Sequence, residues 1–314
     1  MKNKPTPSYN KMRILFLFLD GIGLGDDDPA INPFVAANTP TLLSLTNGKR
    51  WLRGSGIQRS ERATFIPTDP RLGIPGRPQS GTSQAAILTG LNVPEMVGRH
   101  YGPKPDEATR TILDRENVFL TLKAAGKRAA LLDAYPPRLL RDIERGKTLP
   151  SSIQYAARTS QELFTIEDLQ ARRAITAEWT GKPWHTHLKL TDTPLYTPRE
   201  AGHLLVELAQ NYDFAFHSHW MTDYFGHRGP FEAAVELLET FDEVLAGVLE
   251  KWDDDEGMII VSSDHGNMEH IGDRKHTEND VPTLLIGNPR DTFAEGFRTL
   301  MDFTPRILHL LGVS

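Results

Sequence analysis

The stretch SSDHGNMEH, residues 262–270, ends the apolar run Met258-Ile259-Ile260-Val261 in carboxylates and imidazoles instead of a plain turn. Asp264 and His265 are both good donors to a divalent cation, and adjacent residues on an extended chain point in different directions, so the pair can serve two neighbouring ions. Similar groups follow other apolar runs. Asp20 ends the run 14–19, Asp223 and His227 stand four apart in TDYFGHRG, and His276 sits in KHTENDVP just before the next strand-like segment. A carboxylate and a histidine four apart can chelate one ion from a single helical turn. Taken singly, each has an ordinary reading: Asp-Gly as a turn, Asp223 and His227 as a helix cap or solvated turn, and His217, His219 and His270 as core, neighbouring or surface residues. Together they place three carboxylates and three imidazoles at the ends of separate strands, enough ligands for two metals.

Chemistry for such a pair is suggested by GRPQSGTSQAAILTG, residues 76–90. A Gly/Pro-rich loop running into a helix turns backbone N–H groups and the positive end of the helix toward an incoming anion such as phosphate. Ser80, Thr82 and Ser83 all offer hydroxyls there. Any of them can serve as an N-cap; beside a metal ion, a hydroxyl instead loses its proton near neutral pH and becomes a nucleophile.

The elements that must position these groups alternate along the chain. Strand-like runs at 12–19, 128–134, 212–218, 257–263 and 282–287 are interleaved with helix-like stretches at 83–90, 116–126, 199–211, 230–252 and 303–312. That order predicts an α/β fold: a doubly wound, mostly parallel sheet with helices on both faces, whose ligands sit beyond the carboxyl ends of the strands. Residues 136–199 break the rhythm, with Pro136-Pro137, scattered charge, a helix-like stretch from Ile166 to Trp179 and a Pro- and Thr-rich end, and read as a short inserted cap.

Composition limits the remaining possibilities. The chain has 314 residues, 39% hydrophobic and 24% charged, with a formal charge of −6, so no general basic surface offers itself to nucleic acid. With no cysteine, any metal must use oxygen and imidazole donors. Residues 1–11 read as a flexible lead-in: the run 14–19 is short, ends in Asp20-Gly21 and is followed by no small-residue cleavage site. No stretch approaches the roughly 20 apolar residues of a membrane span. The expectation is a cytoplasmic enzyme without membrane or nucleic-acid partners.

The ordered motifs LDGIG, NTPTL, PQSGTSQAAILTG, DYFGHRG, SSDHGNMEH, HTENDVP and DFTPRILHLLG resemble those of the alkaline phosphatase superfamily. The resemblance is closest to the metalloenzymes that include cofactor-independent phosphoglycerate mutase and phosphopentomutase. It covers residues 12–135 and 200–314, implying an alkaline-phosphatase-like core interrupted by the segment 136–199. Carried over by position, it makes Asp20, Ser80, Asp264 and His265 ligands of one divalent ion and Asp223, His227 and His276 ligands of a second. Mn²⁺ and Zn²⁺ both suit such donors. Counting back from Thr89-Gly90, the resemblance puts the nucleophile at Ser80, with Thr82 as the alternative.

The reaction so implied is phosphoryl transfer to Ser80 from a small phosphorylated substrate, with Arg99, His100 and Lys104 of GRHYGPKP as candidate contacts to substrate anions. The large substrate-gripping cap of the phosphoglycerate mutases and their Asn-Ser-Glu-Val-Gly-His nucleophile loop are both missing here. A small cap that admits water implies hydrolysis of a phosphate monoester through a phosphoserine, with a phosphomutase of phosphoglycerate or phosphopentose type as the alternative. A phosphodiesterase or sulfatase on the same scaffold and a non-catalytic metal-binding protein are further alternatives. Against a sulfatase, Thr82 and Gln84 occupy the Pro and Arg positions of its Cys/Ser-x-Pro-x-Arg motif; against a non-catalytic protein, all seven expected site positions are filled.

Overall fold

The computed structural model describes residues 12–313, so the lead-in expected at 1–11 lies outside the described residues. Seven strands form one sheet: β1 (Arg13–Leu19), β2 (Gln58–Arg59), β3 (Ala63–Thr68), β4 (Ala129–Leu131), β5 (Phe214–His219), β6 (Gly257–Ser262) and β7 (Val281–Ile286), in the order β2-β3-β7-β6-β1-β5-β4. Strands β6, β1, β5 and β4 pair in parallel, whereas β7 is antiparallel to both β6 and β3, and β2 is antiparallel to β3. Five of the seven strands therefore run one way, as expected of a mostly parallel sheet.

β1 is apolar at successive positions because both of its faces are covered. Leu15, Leu17 and Leu19 enter one core with residues of the helices Pro198–Ala209 and Phe231–Lys251. Ile14, Phe16 and Phe18 enter the other, with the helices Ser80–Thr89, Val118–Ala124 and Phe303–Leu310. The NTPTL segment begins a short helix, Pro40–Leu45, whose free N–H groups at Thr41 and Leu42 donate to the buried carboxylate of Asp242, at 2.9 and 2.8 Å.

Two elements differ from expectation. The pairing of β3 with β2 and β7 was not anticipated, because Pro67 interrupts the run and a proline argues against an interior strand. The sheet accommodates it by setting Pro67 opposite Pro282, so that neither is called on to donate. The helix expected from Ile166 to Trp179 stops at Gln170; Arg172 and Trp179 both have positive φ, at 55° and 69°. Residues 136–199 pack along the β4 edge and contribute to both cores, Ile153, Ala156 and Ala157 on the side of the helix Ser80–Thr89, Ile175 and Trp179 on the opposite side. No helix among the described residues is long and apolar enough to cross a membrane.

Candidate metal centre

Parallel pairing brings the carboxyl ends of β1, β5 and β6 to one edge of the sheet. Because β7 runs back antiparallel to β6, the loop between them stays at that same edge and delivers His276 there. The helix Ser80–Thr89 begins over it, its first residue following the extended Gln79.

Asp20, Asp264 and His265 form the first group, with donor atoms within 4.8 Å of one another. His265 Nε2 lies 3.4 Å from Asp20 Oδ1, 3.6 Å from Asp264 Oδ2 and 2.9 Å from Ser80 Oγ. Asp223, His227 and His276 form the second: His227 Nε2 is 3.2 Å from His276 Nε2, and the two nitrogens are 3.5 and 3.7 Å from Asp223 Oδ1. A tetrahedral ion with bonds of about 2.0–2.2 Å holds its ligands about 3.3–3.6 Å apart. The separations quoted within the two groups run from 3.2 to 3.7 Å, close to that range, while Ser80 Oγ approaches His265 more closely, at 2.9 Å.

The hydrogen bonds point the same way. His276 Nδ1 donates to Pro78 O at 2.8 Å and His227 Nδ1 to Arg274 O at 3.0 Å. With those protons on Nδ1, the two Nε2 atoms face each other and a carboxylate oxygen. A cation between them turns mutual repulsion into coordination, and the backbone carbonyls fix the tautomer that coordination needs. In the first group, Asp20 Oδ1 is buried without a hydrogen-bond partner. The rings of His265 and His276 stack with centroids 3.7 Å apart, placing the two groups side by side.

Electrostatics also calls for added positive charge. Burial, and then the neighbouring carboxylates of Asp264 and Asp223, hold the Asp20 carboxyl well above its usual range; burial likewise raises Asp264. Burial, and then His265, push His276 down to about 3. Divalent ions reverse both tendencies by rewarding ionised carboxylates and neutral imidazoles.

The candidate nucleophiles are in different situations. Ser80 faces the first group, whereas Thr82 ties the helix to the following loop: its N–H donates to Tyr101 O at 3.0 Å and its hydroxyl accepts from Tyr101 N at 3.1 Å. Of the candidate substrate contacts, Lys104 is near enough for the Asp20 carboxylate to support its charge, although burial lowers its pKa. His100 is half-buried, with Nε2 3.3 Å from Ile74 O, and burial lowers its pKa as well. Arg99 is exposed, 3.7 Å from Asp106 and with its guanidinium 5.0 Å from the Tyr101 ring centroid. The other histidines separate cleanly: His217 is buried 2.9 Å from Asp133, His219 is buried in a stack on Trp179, and His270 is exposed.

Sequence reading missed the residues that hold the donors in place. Gln84, one helical turn beyond Ser80, donates to Asp20 Oδ2 at 3.3 Å and to Asp264 Oδ2 at 3.1 Å; the four-residue spacing was the available signal. Asn267 donates to Asp223 Oδ1 at 2.7 Å. Glu269 is 1% exposed and accepts from Gly23 N, Asn267 N and Asn279 Nδ2 at 2.9, 2.8 and 2.9 Å, and from the Thr277 hydroxyl. It thereby ties together the segments following β1 and β6 and the one entering β7. A Cβ on Gly23 would lie 2.2 Å from Glu269 Oε1, which accounts for the second glycine of LDGIG.

Residues 195–314, which carry both histidines of the second group and Asp264-His265, match the family model of the metalloenzyme superfamily. A 2,3-bisphosphoglycerate-independent phosphoglycerate mutase of Methylobacillus flagellatus is 31% identical over 113 residues, 34% of this chain and 22% of that protein. The chain thus spans less than a third of the length of this relative. Among solved structures, the alkaline phosphatase of the Antarctic bacterium TAB5 is similar with a TM-score of 0.53 at 12% identity, over 96% of this chain and 98% of that one. A Leishmania mexicana phosphoglycerate mutase, solved at low cobalt concentration, is similar with a TM-score of 0.51 at 12% identity, over 99% and 97%. These structural likenesses establish the fold.

Proposed function

We propose that the chain, whose residues 195–314 match the metalloenzyme superfamily model, is a two-metal phosphoryl-transfer enzyme of the alkaline phosphatase superfamily with Ser80 as nucleophile. Asp20, Asp264, His265 and Ser80 would hold one divalent ion, Mn²⁺ or Zn²⁺, and Asp223, His227 and His276 the other. The observation that carries the reading is the placement of Ser80 Oγ 2.9 Å from His265 Nε2, beside two donor groups spaced for metal ions.

When bound, the two ions neutralise phosphoryl oxygens and lower the proton affinity of a coordinated hydroxyl. Ser80 Oγ forms the new bond to phosphorus while the ester P–O bond breaks in line. Its electron pair goes to the departing oxygen, which takes up the proton released by the serine. Gln84 holds the carboxylates of Asp20 and Asp264 in register throughout. The N–H groups of Ser80 and Gly81, at the helix terminus, supply further partial positive charge, the Thr82 N–H being engaged with Tyr101 O. The phosphoryl group then passes to another hydroxyl of the bound substrate or to water.

The relatives favour return to the substrate, the phosphomutase alternative, over the net hydrolysis expected from a short cap. Turnover of small phosphate monoesters by Mn²⁺-loaded protein in ¹⁸O-water, followed by ³¹P NMR, tests both. Isomerisation without labelled inorganic phosphate is the expected result, and stoichiometric labelled phosphate would restore the hydrolase reading. Absence of turnover together with absence of phosphoserine by mass spectrometry would refute phosphoryl transfer itself.

A further inference from the structure

The two donor groups differ in how far they are open to solvent. In the first, the side chains of Asp264 and His265 are fully buried and that of Asp20 is 13% exposed; in the second, those of Asp223 and His227 are 21% and 30% exposed. The open side is formed by the helix Met221–Arg228, whose inner face is pinned. There the Thr222 hydroxyl donates to Asp20 O, and a Cβ on Gly226 would lie 2.6 Å from Asn267 Cγ. Tyr224 N donates to Trp220 O at 3.4 Å, which extends the helical spacing back to Trp220. At about 100° per residue, Trp220, Asp223, Tyr224 and His227 then share one stripe about 100° wide.

The two aromatic members of that stripe are uncovered. Trp220 is 52% and Tyr224 44% exposed, and their rings meet edge to face, with centroids 6.3 Å apart and planes at 82°. Along the helix axis Tyr224 and Trp220 stand about 1.5 and 4.5 Å from Asp223. Single exposed apolar side chains are ordinary, but two rings at a right angle beside these donors make a corner that offers a flat ligand one ring face and one ring edge.

The direction of displacement decides what reaches this corner. Ser80 Oγ lies against the first group, 2.9 Å from His265 Nε2, and in an in-line displacement the departing oxygen is on the far side of phosphorus from it. The organic part of the substrate therefore extends toward the second group, whose open side carries the two rings.

We propose that Trp220 and Tyr224 form an aromatic platform for the leaving group, and that the substrate is a phosphate monoester with a planar unsaturated ring, aryl or heteroaromatic, within a few bonds of the ester oxygen. The proposal rests on the reading of Ser80 and the two donor groups as the reacting centre. A planar ring stacks offset on one side chain while it meets the other edge to face; a puckered saturated ring of the same size keeps the apolar burial and loses the stacking.

The test uses the Ser80→Ala protein loaded with Mn²⁺, with inorganic phosphate, methyl phosphate, cyclohexyl phosphate and phenyl phosphate as probes and dissociation constants measured by calorimetry. Phenyl phosphate is expected to bind at least about tenfold more tightly than methyl phosphate and about two- to tenfold more tightly than cyclohexyl phosphate. Adding Trp220→Ala or Tyr224→Ala should bring phenyl and cyclohexyl phosphate close to equal, while Trp220→Phe retains part of the preference. Trp51, Trp179, Trp184 and Trp252 are at most 9% exposed, so acrylamide quenching of the emission reports chiefly on Trp220, and saturating phenyl phosphate should protect it. Equal binding of the phenyl and cyclohexyl esters, a preference untouched by both alanine variants, or unchanged quenching overturns the platform. So does sedimentation as a dimer that Trp220→Ala separates, since the rings would then be covered by a second copy of the chain. Failure of inorganic phosphate to bind in the presence of Mn²⁺ overturns the reading of the centre, and the platform with it, whereas the other failures leave that binding intact.

Discussion

Glu269→Gln should loosen the metal centre without removing a metal ligand. One carboxylate oxygen accepts the N–H groups of Gly23 and Asn267, and the other accepts from Asn279 Nδ2 and Thr277 Oγ1. A glutamine keeps the first oxygen but places an NH₂ where the second was. The Thr277 hydroxyl can reverse its role, whereas Asn279 would then oppose donor to donor. Flipping the Asn279 amide would relieve that contact only by giving up the hydrogen bond that Arg53 Nη2 donates to Asn279 Oδ1 at 2.9 Å. The loss is therefore about one buried charge-assisted hydrogen bond plus an unsatisfied donor, on the order of 2–3 kcal/mol. For a chain of this size that corresponds to a fall of about 5 °C in Tm. Because Glu269 joins the segments that carry Asp20, Asp264, His265 and His276, Mn²⁺ affinity should fall about 10- to 100-fold. Calorimetric melting of chelator-treated protein and Mn²⁺ titration measure the two effects separately. A Tm within about 1 °C of the unsubstituted protein together with unchanged Mn²⁺ affinity would refute the claim that this carboxylate holds the site.

Ser80→Ala is expected to abolish phosphoserine formation, by mass spectrometry, while the melting profile and at least one bound metal persist; Thr82→Ala should retain turnover and lose stability, by about 1 kcal/mol, through the broken Tyr101 clamp. Asp264→Ala and His227→Ala should each lower metal content by elemental analysis, and unchanged content in both would remove the dinuclear assignment. Burial raises Glu178 from 4.5 to about 7, so the folded state binds the extra proton and stability falls as pH rises from about 4.5 through 7. The difference of 2.5 units corresponds to on the order of 3 kcal/mol. Glu178→Gln should accordingly melt higher than the unsubstituted protein at pH 8 and near it at pH 4.5; a gap that does not grow with pH would contradict the buried carboxyl.

The donor residues were legible because each follows a recognisable apolar run or precedes one. Asp20, Asp264 and His265 stand at the ends of strands whose burial shows in composition alone, and Asp223 and His227 announce one helical turn by their spacing. Local pattern does not carry the pairings that orient them. Gln84 meets Asp264 across 180 residues of chain and Glu269 meets Gly23 across 246, and each is an ordinary polar residue until the strands are ordered. The same limit hid β3, whose proline becomes acceptable only when Pro282 is known to lie opposite. Trp179 escaped for the reverse reason: an apolar period favours continuing the helix, but stacking on His219 within the core holds its backbone at positive φ.

His276 brings the two donor groups and the nucleophile into one mechanical unit. Its Nε2 faces Asp223 and His227, its ring stacks on His265, and its Nδ1 proton is held by the carbonyl of Pro78, two residues before Ser80. A shift of this imidazole therefore disturbs the second group directly, presses on the first through His265, and pulls on the loop that presents Ser80. The reverse also holds: a displacement of the 75–80 loop is transmitted through Pro78 to a nitrogen of the proposed second metal site. The backbone that presents Ser80 and the carbonyl that fixes the tautomer of His276 thus belong to one short segment, residues 78–80.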